Sequence, residues 1–377
     1  MNTYDAVIAG GGLIGAAIGL ELSRTGLRVA VFDKGQPGQE ASWAGAGILS
    51  PAPENPGAIP MVPLGKASLA LYPEFVDTVE EMTGQDVGFR QSGTLEALFS
   101  RDTARDLSTL IALHHGLGLE TEPLSAEDAR ELEPALTTDI EAAAWRPREA
   151  SVDNRRLTRA VLKAATKSGA QVFAGQPAEA LWRHRKRCAG LRLHNESVAA
   201  KWTIIAAGCF SAKIDGVERY APVRPAKGQM IALGAERVKI ERVLWSDKIY
   251  LVPRNDGRIL AGATTEYVGF NKEVTAGGVE KLLSAAIRLA PELANARIEE
   301  TWAGLRPDSQ DHLPILGPAE LEGLIIATGH FRSGILLTPI TAQLVREWVT
   351  QQSVSLDWER FTPARFLESN RAASTSD

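Results

Sequence analysis

The sequence predicts an α/β fold, α+β overall, in which a Rossmann-type dinucleotide-binding domain is interleaved with a second domain rich in strands. Three observations carry this. An N-terminal apolar strand, Tyr4 to Ala9, runs into Gly10-Gly11-Gly12-Leu13-Ile14-Gly15 and then into the helix-like stretch Ala16 to Leu22. A second strand, Arg28 to Phe32, ends at Asp33. Near the other end, Leu324 to Thr328 is a third such strand. It leads through Gly329-His330-Phe331-Arg332-Ser333-Gly334 into the helical pattern Ile335 to Val349. A helix N-terminus offers unpaired N–H groups and partial positive charge to an anion. Two such units at opposite ends of one chain suit a long ligand held at both its ends.

The first unit has the chemistry of a pyrophosphate site. Gly10 permits the tight turn, Gly12 lets the backbone approach the pyrophosphate, and Gly15 lets helix pack on strand, with Leu13 and Ile14 between them. Asp33 follows by roughly 20 residues, the spacing at which an acid accepts hydrogen bonds from ribose hydroxyls; Lys34 adjoins it. Gln39 to Leu49 is small and glycine-rich, so its backbone can pass close to a flat ligand. Ala41, Ser42, Ala46, Gly47 and Ile48 are expected to line the cofactor there. Ala206-Ala207-Gly208 is a further close-approach turn, and Ala178 joins Ala207 and Gly208 in the expected site.

In chain order, Leu64 to Met82 reads as a helix and Gly93 to Phe99 as a strand. Thr103 to His115 and Ser125 to Leu132 read as helices, the second capped by Ser125 and Asp128. Asn154 to Ser168 is amphipathic and stops at Gly169. Gln171 to Phe173 and Trp202 to Ala206 return as strands to the nucleotide sheet. Strands dominate from Met230 to Gly262, where Tyr250 to Pro253 and Arg258 to Ala261 flank the hairpin signal Asn255-Asp256-Gly257. This alternation assigns residues 1–84, 147–218 and 304–366 to the nucleotide domain and 85–146 and 219–303 to the second. Residues 367–377 form a polar tail, expected to be disordered.

Composition points to a soluble, cytoplasmic enzyme. A chain of 377 residues can bury a large core. A net charge of −5 gives no nucleic-acid footprint. The apolar run Ala6 to Leu20 is too short to span a membrane, and no Lys or Arg precedes it as in a secretory signal. Cys188 and Cys209 are the only cysteines and read as reduced thiols. The six histidines show no metal spacing; His114-His115 falls in a polar helical region.

The N-terminal fingerprint, Ala41-Ser42-Trp43-Ala44-Gly45-Ala46-Gly47, Tyr250-Leu251-Val252-Pro253-Arg254, Thr301-Trp302-Ala303-Gly304-Leu305-Arg306-Pro307 and Gly329 to Leu337 together resemble the D-amino acid oxidase superfamily of flavoproteins, and within it the glycine oxidase branch of the thiamine pathway. The resemblance covers nearly the whole chain. It implies noncovalent FAD, a nucleotide domain of the glutathione-reductase type, and a substrate domain whose antiparallel sheet covers the flavin. It also implies oxidation of an amine next to a carboxylate: glycine, sarcosine, another N-substituted glycine or a small D-amino acid. The products would be an imine or 2-oxo acid, ammonia or amine, and hydrogen peroxide, with O2 as electron acceptor. The imine could supply thiamine thiazole synthesis. A homo-oligomer is compatible with this reading.

The residues support that chemistry. Arg306 has a guanidinium fork suited to a bidentate grip on a carboxylate, and the family's matching arginine has this role. The alternative for Arg306 is a salt bridge between domains. Tyr250 matches the family's active-site tyrosine, whose hydroxyl reaches the carboxylate; the alternative is a packed strand aromatic. Arg332 matches a pocket residue. Gly304 and the turn from His330 through Phe331, Ser333, Gly334, Ile335 and Leu336 are expected at the flavin, with the helix start at Gly334 to Leu336 stabilising negative charge on its reduced ring. No acid–base residue is expected, because the cofactor carries the difficult step by hydride transfer.

Two positions depart from the pattern. Thr265 stands where a methionine is typical, and Lys248 where a histidine is typical. A shorter residue at 265 could admit a larger substrate, and Lys248 could favour an extra anionic group; neutral variation at the rim is the alternative. Covalent flavin is disfavoured, since neither cysteine lies in the C-terminal third and no histidine lies in residues 33 to 50. Three rivals remain in view. An NAD-dependent dehydrogenase leaves the C-terminal glycine turn without a ring to meet. A D-amino acid dehydrogenase passing electrons to a quinone would want membrane contact, and no basic amphipathic anchor is evident. A non-catalytic flavin-binding module leaves Tyr250, Arg306 and Arg332 unexplained.

Overall fold

The computed structural model describes residues 3–100, 105–354 and 356–367. Two eight-stranded sheets form its frame, with a two-stranded ribbon of Ile48–Leu49 and Ala150–Ser151. In the first sheet, Leu324–Thr328, Ser197–Ile205, Thr3–Ala9, Val29–Phe32 and Gln171–Phe173 lie parallel in that order. Ile315–Pro318 adds an antiparallel edge, and Ala180–His184 with Arg187–Arg192 forms a meander. The parallel strands are continuous apolar runs because both faces are covered. Ala6 and Ile8 face the helices Leu13–Arg24, Val62–Thr83, Asn154–Lys167 and Thr338–Thr350, while Val7 and Ala9 face the meander and the segment Ile214 to Val223.

The second sheet runs Arg297–Asp308, Arg224–Gly234, Arg258–Gly262, Tyr250–Pro253, Val243–Trp245, Thr94–Leu98, Ala142–Arg146, Glu122–Ser125. All its neighbours are antiparallel except Val243–Trp245 and Thr94–Leu98. Alternation divides its faces. Leu251, Ile259 and Ile231 pack against helices Ala126–Leu132 and Ala276–Leu289; Val252, Leu260 and Met230 turn toward Ala44 and Ala46. Arg297–Asp308 is unbroken across 303 and 304, so this one strand carries both Glu300 and Arg306.

A buried junction joins the two sheets. Arg254 donates to Ala46 O at 2.8 Å and to Asn154 Oδ1 at 2.9 Å. Asn154 in turn donates to Ser42 O and Trp43 O. Arg155 makes a two-pronged pair with Glu300 at 2.8 and 3.0 Å and lies 3.7 Å over the Trp43 ring. Trp302 donates to Ala44 O. Four backbone carbonyls of the segment 42–46, those of Ser42, Trp43, Ala44 and Ala46, are thereby satisfied.

Several expectations shift at their edges. The last helix begins at Thr338, not Ile335: Pro339 fits only the first turn, and residues 334–337 form turns instead, with Leu337 N–H donating to Ser333 O at 2.8 Å. Leu107–Gly116 is helical, and its expected start at Thr103 lies outside the described residues. So does the polar tail, apart from Leu367. Ser125 caps its helix by accepting Asp128 N–H, as expected. Among the described residues no helix is long and apolar enough to cross a membrane.

Arg254→Met should leave Ala46 O and Asn154 Oδ1 unpaired in a dry junction, a loss of roughly 1–3 kcal/mol. Calorimetry should show a thermal midpoint lower by several degrees; an unchanged midpoint would mean the junction does not hold the sheets together.

Candidate functional site

A cavity of about 1130 Å³ lies between the carboxyl ends of the parallel strands and one face of the antiparallel sheet. Ligands of open α/β sheets sit at that edge. Gly10, Gly12, Leu13, Ile14, Asp33 and Lys34 line its first end. Gly15 does not. A Cβ on Gly15 would lie 1.9 Å from Gly10 O, so this glycine serves the contact of helix with strand. Gly12 differs: a Cβ there would meet only Ser42 Oγ, at 3.2 Å. The protein's own packing barely requires a glycine at 12, which lies on the cavity wall.

Asp33 Oδ2 accepts the Gly11 N–H at 2.7 Å and Oδ1 the Gly35 N–H at 2.9 Å. Each oxygen keeps capacity for a further donor. Ser42 Oγ accepts the Leu13 N–H at 2.9 Å, tying the glycine-rich segment to the start of the first helix. Lys34 pairs with Glu40 at 2.7 Å and lies 4.0 Å over the Phe210 ring. Ala178, Ala207 and Gly208 form the opposite wall, and Ala41, Ala46, Gly47 and Ile48 the middle. Gly304 lines the cavity too and lets Ala44 approach; a Cβ there would sit 2.2 Å from that of Ala44. Cys209 adjoins this end, its thiol pushed up to about 12 by burial.

The turn His330 to Leu336 closes the other side. Burial pushes the His330 imidazole down to about 3, so it is neutral, and its Nε2 lies 3.1 Å from Thr341 Oγ1. Phe331 adopts φ +47 and donates its N–H to Pro307 O at 2.9 Å. The turn is thereby fixed beside Arg306. Gly334, Ile335 and Leu336 line the cavity from turns, so the charge-stabilising helix start expected there is displaced to Thr338.

Arg306 and Tyr250 share the sheet face that lines the cavity. Arg306 Nη1 donates to Thr264 O at 3.0 Å, and among the described residues no carboxylate lies within ion-pairing distance of it. Burial lowers its pKa; Tyr250 supports the charge and Arg332 opposes it. The interdomain salt bridge considered for Arg306 is made by Arg155 instead. Burial raises the Tyr250 phenol, which donates to Met230 Sδ at 3.3 Å. Arg332 is already engaged: it pairs with Glu54 and donates to Thr265 Oγ1 at 2.9 Å. Thr265 is exposed and off the cavity wall, so it tethers Arg332 rather than enlarging the pocket. Lys248 lines the rim and is exposed.

Glu54, Met230, Trp245, Glu96, Arg146 and His114 also line the cavity and were not foreseen. Helix Leu107–Gly116 falls in the polar helical region expected around His114-His115 and turns His114 inward to 1% exposure. Glu54 had a weak signal in the proline-rich segment Pro51 to Pro56.

Comparison with known proteins gives a consistent result. The sequence is 36% identical over 373 residues to the bifunctional protein ThiO/ThiG of a Synechocystis species, covering 97% of this chain and 54% of that protein. The chain thus spans about half the length of these bifunctional relatives. It is 34% identical to the glycine oxidase of Geobacillus kaustophilus, covering 97% and 98% of the two chains. The crystal structure of glycine oxidase from that organism matches with a TM-score of 0.90 at 33% identity, over 96% and 98% of the chains. Iminodiacetate oxidase from a Chelativorans species matches with a TM-score of 0.85 at 28% identity, over 95% and 98%. The family described as FAD dependent oxidoreductase matches residues 5–348. That match takes in both sheets and every wall of the cavity, and the chain accordingly belongs to the FAD dependent oxidoreductases.

Proposed function

We propose that this FAD-dependent enzyme oxidises a small amine carboxylate: glycine, an N-substituted glycine such as sarcosine, or a small D-amino acid. The observation that carries this is Arg306, a cavity-lining guanidinium with no carboxylate partner among the described residues, beside the buried hydroxyl of Tyr250. A desolvated cation is costly unless something pairs with it. A substrate carboxylate completes it.

In this reading the Gly10–Ile14 turn and Asp33 hold the nucleotide, and the Gly45–Ile48 segment, Gly304 and the His330–Leu336 turn surround the ring. Residues 1–84, 147–218 and 304–366 contribute the cofactor part, and 85–146 and 219–303 the cover. FAD bound there would accept a hydride from the carbon bearing the amine and deliver the electron pair to oxygen. Arg306 and Tyr250 grip the carboxylate and so aim that carbon. Arg332, neutralised by Glu54 and tethered by Thr265, stands at the pocket edge without competing for the carboxylate. His330 is neutral and bonded, so it takes no proton, and we assign no acid–base residue. With Cys209 protonated and no histidine in the 33–50 segment, attachment of FAD is noncovalent. The likeness to ThiO/ThiG supports a role in supplying an imine to thiamine thiazole synthesis. Anaerobic titration with glycine, sarcosine and D-amino acids, following flavin bleaching, tests the reading. No bleaching by any of them would sink it.

The purified protein should be yellow, and acid precipitation should release its FAD into the supernatant; flavin retained in the pellet would show a covalent bond. Gly12→Val should retain far-ultraviolet circular dichroism yet lose the flavin absorbance, because its methyls would occupy the cavity beside the phosphate turn. Normal flavin content would remove that turn from the site. Arg306→Lys keeps the charge but not the fork. It should lose roughly 2–5 kcal/mol of transition-state stabilisation, about 30-fold to several thousand-fold in kcat/KM, with flavin content retained. Stopped-flow flavin reduction near the wild-type rate would place the carboxylate elsewhere.

A further inference from the structure

The cavity does not end at Tyr250. In the antiparallel sheet Tyr250 stands opposite Trp245, and Trp245 opposite Glu96, so the three side chains share one face. The Tyr250 and Trp245 rings are 5.4 Å apart. Two strand spacings separate Tyr250 from Glu96, about 10 Å. The cavity runs over Trp245 to Glu96, Arg146 and His114, with Leu110 on its helical wall. Neither the flavin nor the carboxylate grip uses this arm.

Its end is polar and enclosed. Arg146, 5% exposed, is held by Glu96 at 2.6 Å and Glu149 at 3.2 Å. Two carboxylates on one guanidinium leave a formal charge of −1. His114 Nδ1 lies 2.9 Å from Thr121 Oγ1, whereas its buried Nε2 has no hydrogen-bond partner among the described residues. Burial, with a contribution from Arg146, lowers the His114 pKa, so the ring is neutral. This nitrogen is packed within the wall of the arm. A surplus of negative charge beside it selects a donor and disfavours an anion.

We propose that this arm is a specificity subsite for extended substrates. An amine carboxylate held at Arg306 would place there the tip of a substituent, on its nitrogen or on Cα, that ends in a hydrogen-bond donor, either a hydroxyl or an ammonium. Glu96 accepts from that tip, and His114 packs in the wall beside it. The inference rests on the oxidase reading above.

The test is anaerobic stopped-flow reduction of the holoenzyme's flavin. Sarcosine serves as the reference, and D-lysine is compared with D-norleucine. N-butylglycine is compared with its 4-hydroxybutyl, 4-aminobutyl and 3-carboxypropyl counterparts. In at least one attachment series the donor-tipped member should be reduced 10-fold or more faster at limiting concentration than its apolar partner. The hydroxyl and ammonium arms show which donor is preferred. Leu110→Trp, which fills the arm while leaving the Glu96–Arg146 pair in place, should bring the ratio of donor-tipped to apolar rates close to one. Because each ratio is taken within one protein, a general loss of stability does not imitate it. Equal rates for donor-tipped and apolar substrates in the wild type overturn the proposal, as does preference for the carboxylate-tipped compound, which would assign the arm to Lys248. A ratio that survives Leu110→Trp overturns it too. No reduction by any compound, sarcosine included, would instead refute the oxidase reading itself.

Discussion

The geometry of the cavity depends on the buried guanidinium of Arg254. It reaches from the hairpin of the antiparallel sheet to Ala46 O and Asn154 Oδ1, and Asn154 reaches on to the carbonyls of Ser42 and Trp43. One side chain from each body thus shares the backbone of a segment that has little structure of its own. Burial lowers the Arg254 pKa to about 10, which still leaves it charged at neutral pH. Its hydrogen bonds are then charge-assisted, and the carbonyls they satisfy have no ladder partner to return to. This contact and Gly304 admitting Ala44 hold the two sheets close beside the cavity.

Arginine is used in four distinct ways around the same space. Arg254 binds backbone, Arg155 stacks on Trp43 while pairing with Glu300, and Arg332 is neutralised by Glu54. Arg306 alone of these four has a carbonyl and a phenol near it but no carboxylate. Arg155 and Arg332 spend their charge on carboxylates, and Arg254 spends its donors on a backbone carbonyl and an amide oxygen. In the proposed reading the unspent one is where a substrate carboxylate gains most on entering, and it shares a strand with Gly304.

Much of this was legible in the sequence. A strand, a glycine turn, a helix and an acid after a second strand are local features; each is dictated by neighbouring residues, and both ends of the chain display them. The hairpin at Asn255-Asp256-Gly257, the cap at Ser125 and the apolar runs of the parallel sheet follow from the same short-range rules. Arg306 and Tyr250 could be singled out because they sit in distinctive strand motifs.

What the sequence by itself determined is therefore the fold type and the residue types that, as proposed, hold a phosphate or grip a carboxylate. Tertiary structure alone decided which of those residues are free to do so. Whether Arg306 or Arg155 meets a carboxylate depends on Glu300 lying two strand residues before Trp302, against the start of a helix some 150 residues away in sequence. Thr265 is exposed and holds the Arg332 guanidinium across 67 residues of sequence. His114 lines the cavity because strands from the second sheet, which carry Glu96 and Arg146, meet its helix there. Pairing, burial and shared cavities are properties of distant segments brought together, and a chain read in order shows only the partners each residue is chemically able to take.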